Sequence, residues 1–169
     1  MAYKKQNDEV YYTVDSKQGL DCDSVEFIRK KALQNKRKRA RICTHNSLND
    51  DIHEMIIAIA KETYVKPHKH ENKCESFHMI EGSLLVVLFN EHGLIEKQIL
   101  MGDFLSGNIF YYRIESGTFH TVIPYTDTVI FHETTKGPFN PADTVYASWA
   151  PDESSIEINA AYINKLKLY

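Results

Sequence analysis

The sequence contains few of the residues and segments that mark several large protein classes. Seven Gly and five Pro among 169 residues are too few for a collagen-like or low-complexity chain. The longest apolar runs, residues 55–60 and 84–89, have the length of strands and fall far short of the roughly 20 residues that span a membrane. The N-terminal segment lacks the apolar core of a secretory signal, so we expect a cytoplasmic protein without a membrane partner.

Cysteine and net charge are also low. Three Cys without a C-x-x-C pair predict neither a disulfide framework nor a cysteine-ligated zinc site. A formal charge of −3 argues against a general nucleic-acid or membrane-surface binder. Hydrophobic residues at 43% and charged residues at 25% are typical of a globular chain, and 169 residues fit a single domain. Eight His, more than the seven Gly, direct the search for function to histidine.

The first part of the chain predicts a short strand, a helix and a basic segment. Residues 10–14 alternate like an edge strand. A helix that would begin near residue 23 or 24 and end near residue 35 carries apolar residues on one face: Val25, Ile28, Ala32 and Leu33. The basic residues 36–41 form either a solvated helix end or an anion site. If the segment is a strand, Arg39 and Arg41 would lie on the same face of it and could both contribute to the anion site.

From residue 39 to about 151 the pattern changes to short strands without βαβ alternation, which predicts an antiparallel sandwich or barrel. We therefore divide the chain into an N-terminal strand and helix extension (1–38), a barrel (39–151) and a C-terminal tail with a weak helical pattern (152–169), all one structural domain. The expected strands cover these residues: 56–60, 65–70, 77–80, 84–89, 94–101, 111–114, 118–123, 128–133 and 144–147.

The most informative segment contains two closely spaced histidines and a glutamate. In a strand, His68 and His70 point to the same side, where two imidazoles can ligate one metal ion at about 2.0–2.1 Å. Glu75 begins the next strand and can return a carboxylate to the same point, and His120 is the best-placed fourth ligand. Three imidazoles and one carboxylate predict one divalent transition metal with open positions. The ligand types alone do not choose among Fe, Mn, Ni, Co, Cu and Zn.

This segment resembles the first motif of the cupin family. The pattern H-x-H-x4-E-x6-G of that motif is met in full by His68, His70, Glu75 and Gly82. The second motif is met in part, by Gly117 and His120. Glu62, Glu115 and Pro124 stand where that family usually has Gly, Pro and Asn. These departures concern turns and not the ligating side chains.

A longer resemblance covers about residues 39–151. Segments at 41–45, 51–56, 64–68, 120–123, 133–139 and 149–151 together look like the WbuC-type cupin-fold metalloproteins. The resemblance implies an all-β fold, the double-stranded β-helix or jelly-roll barrel of cupins. The helical patterns add an N-terminal helix and a short C-terminal helix packed outside it. The resemblance also implies a bound metal and a role in bacterial surface-polysaccharide (O-antigen) biosynthesis. It implies no particular reaction.

Two further residues are candidates for proton transfer. Alternation with Val129 and Phe131 predicts that Glu133 points inward, where it is a general base, a substrate anchor or part of a buried salt bridge with Arg113 or Arg41. His53 precedes an apolar strand and either lines the barrel mouth, where it can move a proton, or caps the strand at the surface.

The remaining predicted contacts are with a ligand. Arg41, Arg113, Tyr64 and Phe77 are candidate substrate-binding residues, although the two aromatic side chains also fit a core. The first hypothesis is a metal-dependent enzyme, isomerase-like, epimerase-like or oxygenase-like, acting on a sugar or nucleotide sugar. The alternatives are a non-enzymatic sugar- or carboxylate-binding cupin, and a structural barrel without metal. We also expect a homodimer formed through the strand at residues 10–14.

Overall fold

The computed structural model describes residues 2–15, 17 and 19–167, without the side chain of Ile156. Within this part of the chain, twelve strands form two sheets. The seven-stranded sheet contains, in spatial order, β1 (Tyr3–Lys5), β2 (Val10–Thr13), β3 (Arg39–Cys43), β4 (Ile52–Ala60), β11 (Thr128–Lys136), β6 (Glu75–Glu81) and β9 (Tyr111–Ile114). The five-stranded sheet contains β12 (Thr144–Tyr146), β5 (His68–His70), β10 (Phe119–Pro124), β7 (Ser83–Phe89) and β8 (Ile95–Gly102).

The two sheets pack on a shared apolar core. Their inward side chains alternate with outward ones, the period of two that a half-buried strand requires. The buried residues of this core are Ile59, Phe77, Met79, Leu84, Val86, Ile99, Met101, Ile114, Val122, Val129 and Phe131. The architecture is the cupin-type jelly roll, a double-stranded β-helix, as the strand pattern and the motifs predict.

Helix α1 (Cys22–Gln34) covers the outer face of the seven-stranded sheet. Its N-cap is Asp21, two to three residues earlier than expected, because Asp21 and Ser24 bond reciprocally to each other's backbone N–H groups. Ile28 and Ala32 are buried against the sheet as predicted. Leu33 is 45% exposed, because it lies about 100° round the helix from Ala32.

Helix α2 (Ile156–Leu166) covers the outer face of the five-stranded sheet. Ile163 and Leu166 pack there on β7 residues such as Val87, beside the ring of Trp149. Both helices therefore lie outside the barrel, as the helical patterns predict. Neither described helix is long and apolar enough to cross a membrane.

The N-terminal strand differs from the expectation for residues 10–14. β2 is not an edge strand, because β1 pairs with it on one side and β3 pairs with it in parallel on the other. Its backbone groups are therefore used within the chain, and the reason for expecting a dimer through this strand is lost. Elsewhere β4 is longer than predicted and β5 is shorter.

Gly82 forms the turn between β6 and β7, as its place in the first motif implies. Its φ is +80°, a conformation that side chains other than glycine rarely adopt. A Cβ atom there would lie 2.5 Å from Oγ1 of Thr126 and 2.6 Å from the backbone oxygen of Thr128. The turn that connects the Glu75 strand to the core therefore requires glycine.

Candidate metal centre

Four candidate ligands converge between the two sheets. His68 and His70 lie on β5, and His120 lies opposite His68 on the neighbouring strand β10. Glu75 is the first residue of β6 in the other sheet, where it pairs with Thr135 of β11. Because alternate residues of a strand share a face, the H-x-H sequence places both imidazoles on the side of Glu75.

The distances among these side chains fit a single ion. Nε2 of His70 lies 2.8 Å from Oε1 of Glu75, and Nε2 of His120 lies 3.1 Å from Oε2 of the same carboxylate. With His68 included, one ligand atom from each residue lies within 4.8 Å of all the others. Around an octahedral ion, ligand atoms about 2.1 Å from the metal are about 3.0 Å apart when adjacent and about 4.2 Å when opposite.

Each imidazole is oriented by a partner at its other nitrogen. Nδ1 of His68 donates to the backbone oxygen of Lys66, and Nδ1 of His120 donates to that of Thr118, both at 2.9 Å. Nδ1 of His70 lies 3.1 Å from Oγ1 of Thr144, which pairs with it across β5 and β12. A carbonyl oxygen only accepts, so Nδ1 carries the hydrogen in the first two rings. In the neutral rings of His68 and His120 this leaves Nε2 with its lone pair, whereas the Thr144 hydroxyl can either donate to Nδ1 of His70 or accept from it.

The contact between His120 and Glu75 therefore requires a shared proton or a metal ion. An Nε2 lone pair and an ionised carboxylate oxygen are both acceptors, and 3.1 Å brings them together only across one of these. A proton would leave either an imidazolium or a protonated carboxyl in a buried cluster. A divalent metal satisfies all four residues at once, so the side chains present fit a transition-metal site.

The protonation states also fit metal binding. Burial, reinforced by His120, lowers the pKa of His68 to about 4, so its ring is neutral at neutral pH. Burial alone would raise the pKa of the Glu75 carboxyl, but in the absence of an ion the hydrogen bonds and positive charges of protonated His120 and His70 outweigh it and hold that pKa well below its usual range. Neutral imidazole and ionised carboxylate are the forms that ligate a metal.

A cavity of about 540 Å³ lies beside the four residues, and Glu133 lines it. Glu133 pairs with Phe77 of β6, two residues and so about 7 Å along the strand from Glu75. Its side chain points inward, as alternation along β11 predicts, and Phe77 lines the same cavity. Burial, helped by the charge of Glu75, raises the pKa of Glu133 to about 8 against the opposing charges of Arg41 and Lys73.

His53 forms part of the cavity wall. Its ring stacks on His45 with centroids 4.0 Å apart, and His45 is itself held at Nδ1 by the backbone of Glu54. Nε2 of His53 is buried and has no hydrogen-bond partner among the described residues. It lies against Gly137, where a Cβ atom would be 2.8 Å away. The wall position agrees with the sequence expectation, but this nitrogen is closed off from a ligand.

Two predicted substrate contacts lie outside the cavity. The Tyr64 hydroxyl donates to the backbone oxygen of Pro151 at 2.9 Å, and its ring packs beside α2 on the outer face of the barrel. Arg113 pairs with Ser76, which alternates with the inward residues of β6, so its side chain is turned outward. There it donates to Glu115 and to Sγ of Cys74, and neither position allows contact with a ligand of the cavity.

The structure brings Arg41 to the cavity and adds a residue that the sequence did not indicate. Arg41 lines the cavity from β3, as the strand reading of the basic segment requires. Lys73 lies in the loop between β5 and β6, yet it is only 7% exposed and lines the same cavity. His78 and His132 pair with each other on the outer face of the sheet, away from the ligands.

Comparisons with known proteins agree with the fold. Residues 20–101 match a family described as a domain of unknown function, DUF6016. A protein from Shewanella oneidensis superposes with a TM-score of 0.53 at 11% identity, over 70% of this chain and 74% of that one. A point mutant of oxalate decarboxylase from Bacillus subtilis gives a TM-score of 0.47 at 19% identity, over 57% of this chain and 24% of that one.

The cupin domain of Cnp3 from Schizosaccharomyces pombe gives a TM-score of 0.47 at 11% identity, over 60% of this chain and 66% of that one. No curated protein matches this chain in sequence. At these identities the likeness concerns the fold alone. The site is therefore interpreted from its own residues.

Proposed function

We propose that this chain is a metal-dependent enzyme acting on a sugar or nucleotide-sugar intermediate, in the synthesis of a bacterial surface polysaccharide. The observation that carries the proposal is a carboxylic acid, Glu133, in the same cavity as four converging ligands. The sugar-related substrate and the polysaccharide context are supported by the resemblance of the sequence motifs to WbuC-type proteins. We further propose that the protein acts in the cytoplasm.

The chain provides both a place for the ion and a group that can exchange a proton. His68, His70, Glu75 and His120 would hold the ion, which when bound supplies a Lewis acid that acidifies a C–H or O–H bond of a ligand. Glu133 lines the cavity next to that position and can accept or return the proton. Without a bound ion its pKa is raised to about 8, and the positive charge of an ion would lower it towards neutral pH, where proton exchange is most effective.

The other cavity residues exclude water and shape the pocket. Phe77, Phe131 and Val122 form an apolar wall between the sheets. An apolar wall strengthens the electrostatic interactions of a bound ligand, because little water remains to screen them. His53 supports this wall from the side of Gly137 and, with its Nε2 closed off, is not the proton acceptor.

The test offers a panel of nucleotide sugars to protein loaded with each candidate metal, with products analysed by chromatography, mass spectrometry and NMR. We expect Glu133→Gln to keep its metal and to lose turnover by roughly 100-fold or more. Glu54→Gln is the control, because Glu54 is exposed at its place on the neighbouring strand β4.

Two outcomes would overturn the proposal. Metal-depleted protein that turns over a substrate as fast as loaded protein would exclude a role for the ion. Loaded protein that binds a nucleotide sugar and returns it unchanged after long incubation would favour a binding protein.

A further inference from the structure

The cavity contains two kinds of cationic side chain. Arg37 and Arg39 line it, and both are held in ion pairs by Glu9 from the N-terminal segment and Glu153 from the C-terminal one. Lys66 also lines the cavity and is paired with Asp152. Within residues 2–15, 17 and 19–167, Lys73 and Arg41 line the cavity without an ion pair.

Lys73 is the more unusual of the two because it is buried. Lysine is rarely buried, and when it is, its ammonium usually keeps contact with water while its carbon chain packs against apolar groups. Nζ of Lys73 lies 5.6 Å from the centroid of the Phe139 ring, and it is not among the buried polar atoms that lack a partner, so it remains accessible from the cavity. Its charge acts on Glu133, but among the described residues it forms no ion pair with that carboxyl.

Arg41 lines the same cavity from β3, two strands away from Glu133 of β11 in the same sheet. It lies two residues from Cys43, which pairs with Met55, and Met55 pairs in turn with Glu133. These residues share the inward face, so Arg41 is two strands across and one row of side chains along from Glu133. Arg41, Lys73 and Glu133 all line the cavity, and the charges of both cations act on the Glu133 carboxyl.

With a divalent ion bound, the charges of the cavity would not balance without an anion. Glu75 would neutralise only part of the ion, and Glu133 carries one charge at most against the two cations Lys73 and Arg41. We propose that Lys73 and Arg41 form a subsite for an anionic oxygen group, a carboxylate or a phosphate, on the ligand that occupies this cavity. The inference deepens the proposed function, but the two cations are in place whether or not an ion is bound.

This subsite narrows the class of ligand. A cavity of about 540 Å³ has the size of typical small-molecule sites. A ligand with hydroxyl groups near the metal ligands and an anionic group near Lys73 would bind at both the proposed metal site and the proposed anion subsite. Acidic sugars and sugar phosphates have both kinds of group, whereas neutral sugars lack the anionic group.

The experiment measures the affinity of three related probes by calorimetry at low ionic strength. Glucose is neutral, glucuronate adds a carboxylate to the same ring, and glucose 1-phosphate adds a phosphate. We expect at least one of the two anions to bind roughly tenfold or more tightly than glucose, because hydrogen bonds between charged groups are the stronger ones. The tighter of the two identifies the anionic group. Equal affinity for all three, or binding of none, would overturn the inference.

The variant that tests the subsite is Lys73→Met, which removes the charge and keeps an unbranched apolar side chain. We expect it to lose the preference for the anion and to keep the metal content of the natural protein. Lys136→Met is the matched control, since Lys136 is exposed at the end of β11. Arg41→Gln should weaken the same preference.

Stability provides a second readout that does not depend on the choice of probe. Most of the Lys73 side chain is buried and has no carboxylate partner among the described residues, so Lys73→Met should leave the urea midpoint in anion-poor buffer unchanged or raise it. A lower midpoint together with unchanged probe affinities would show that Lys73 is structural. Metal content is measured on the same samples. If the natural protein holds no metal, the proposed function fails, and the probe series in metal-free protein still decides the subsite.

Discussion

Nε2 of His70 lies 2.8 Å from Oε1 of Glu75, and this contact joins the five-stranded sheet to the seven-stranded sheet. An ion bound by both residues would link the sheets through its own bonds. A ligand that binds only the folded state stabilises that state, so metal binding and barrel stability are coupled.

Removal of the metal should therefore lower the thermal midpoint. At an ion concentration about 100 times the dissociation constant, we expect a stabilisation of about 2.7 kcal/mol, or roughly 5–10 °C for a chain of this size. Scanning calorimetry with and without a chelator measures it. His70→Ala should not respond to the chelator, whereas His78→Ala, on the outer face, should respond like the natural protein. A midpoint that is indifferent to chelation and to added metal would contradict the coupling.

The hydroxyl of Thr144 should matter for metal affinity. It lies 3.1 Å from Nδ1 of His70 and helps fix the orientation of that ring. We expect Thr144→Val to weaken metal binding about 10- to 100-fold, with little change in the urea midpoint of the metal-free protein. Competition with a fluorescent chelator measures the affinity. Thr134→Val is the control, because Thr134 lies beside His132 rather than a ligand. Equal metal affinities of the two variants would show that the Thr144 hydroxyl does not orient His70 for metal binding.

Glu133 should give the metal-free protein a distinctive pH dependence. Its pKa is about 8 in the folded state, against about 4.3 for an unfolded chain. Between these values the folded state holds the extra proton, so the free energy of unfolding falls as pH rises, by up to about 1.4 kcal/mol per unit. Glu133→Gln should remove this fall.

Urea unfolding of both metal-free proteins between pH 5 and 8 makes that comparison. His68 acts in the opposite sense, because its depressed pKa of about 4 makes stability rise with pH up to its ordinary value of about 6.5. Both proteins share His68, so the difference between the two curves isolates Glu133. Parallel curves would mean that Glu133 is ionised throughout this range.

Gly137 should tolerate no larger residue. A Cβ atom there would overlap the backbone oxygen of Asp50 and lie 2.8 Å from both Cδ2 and Nε2 of His53. We expect Gly137→Ala to cost about 1–3 kcal/mol of unfolding free energy, because a packed wall cannot make room without moving. Gly19→Ala is the control, since nothing lies within 4 Å of the added atom. Equal urea midpoints for the two variants would show that the cavity wall around His53 can shift to accommodate the added methyl group at little cost.

Strand periodicity made the inward residues predictable. Glu133 points into the cavity because it alternates with His132, and His68 and His70 share a face because one residue separates them. The same rule turns Arg113 outward, but only once its pairing with Ser76 is known. Spacing within a strand determines which residues share a face. Which of the two faces points inward depends on the neighbouring strands.

Other features depend on contacts between distant parts of the chain. Lys73 belongs to a loop without periodicity, and its burial arises from Phe139, far along the sequence. Tyr64 is turned to the outer face by contacts with Pro151 and Tyr162. β1 has only three residues, and two of them are lysine. So short and polar a segment has no strand pattern in the sequence, and its pairing with the edge of β2 could not be predicted.

The central claim is that His68, His70, Glu75 and His120 hold one transition-metal ion. Elemental analysis of protein purified without a histidine tag, after incubation with each candidate metal and removal of the excess, tests it most directly. We expect about one equivalent of metal per chain in the natural protein and in His78→Ala, and less than about a tenth of an equivalent in His70→Ala and Glu75→Ala. Natural protein that retains no metal under any of these conditions, or His70→Ala that retains a full equivalent, would contradict the account.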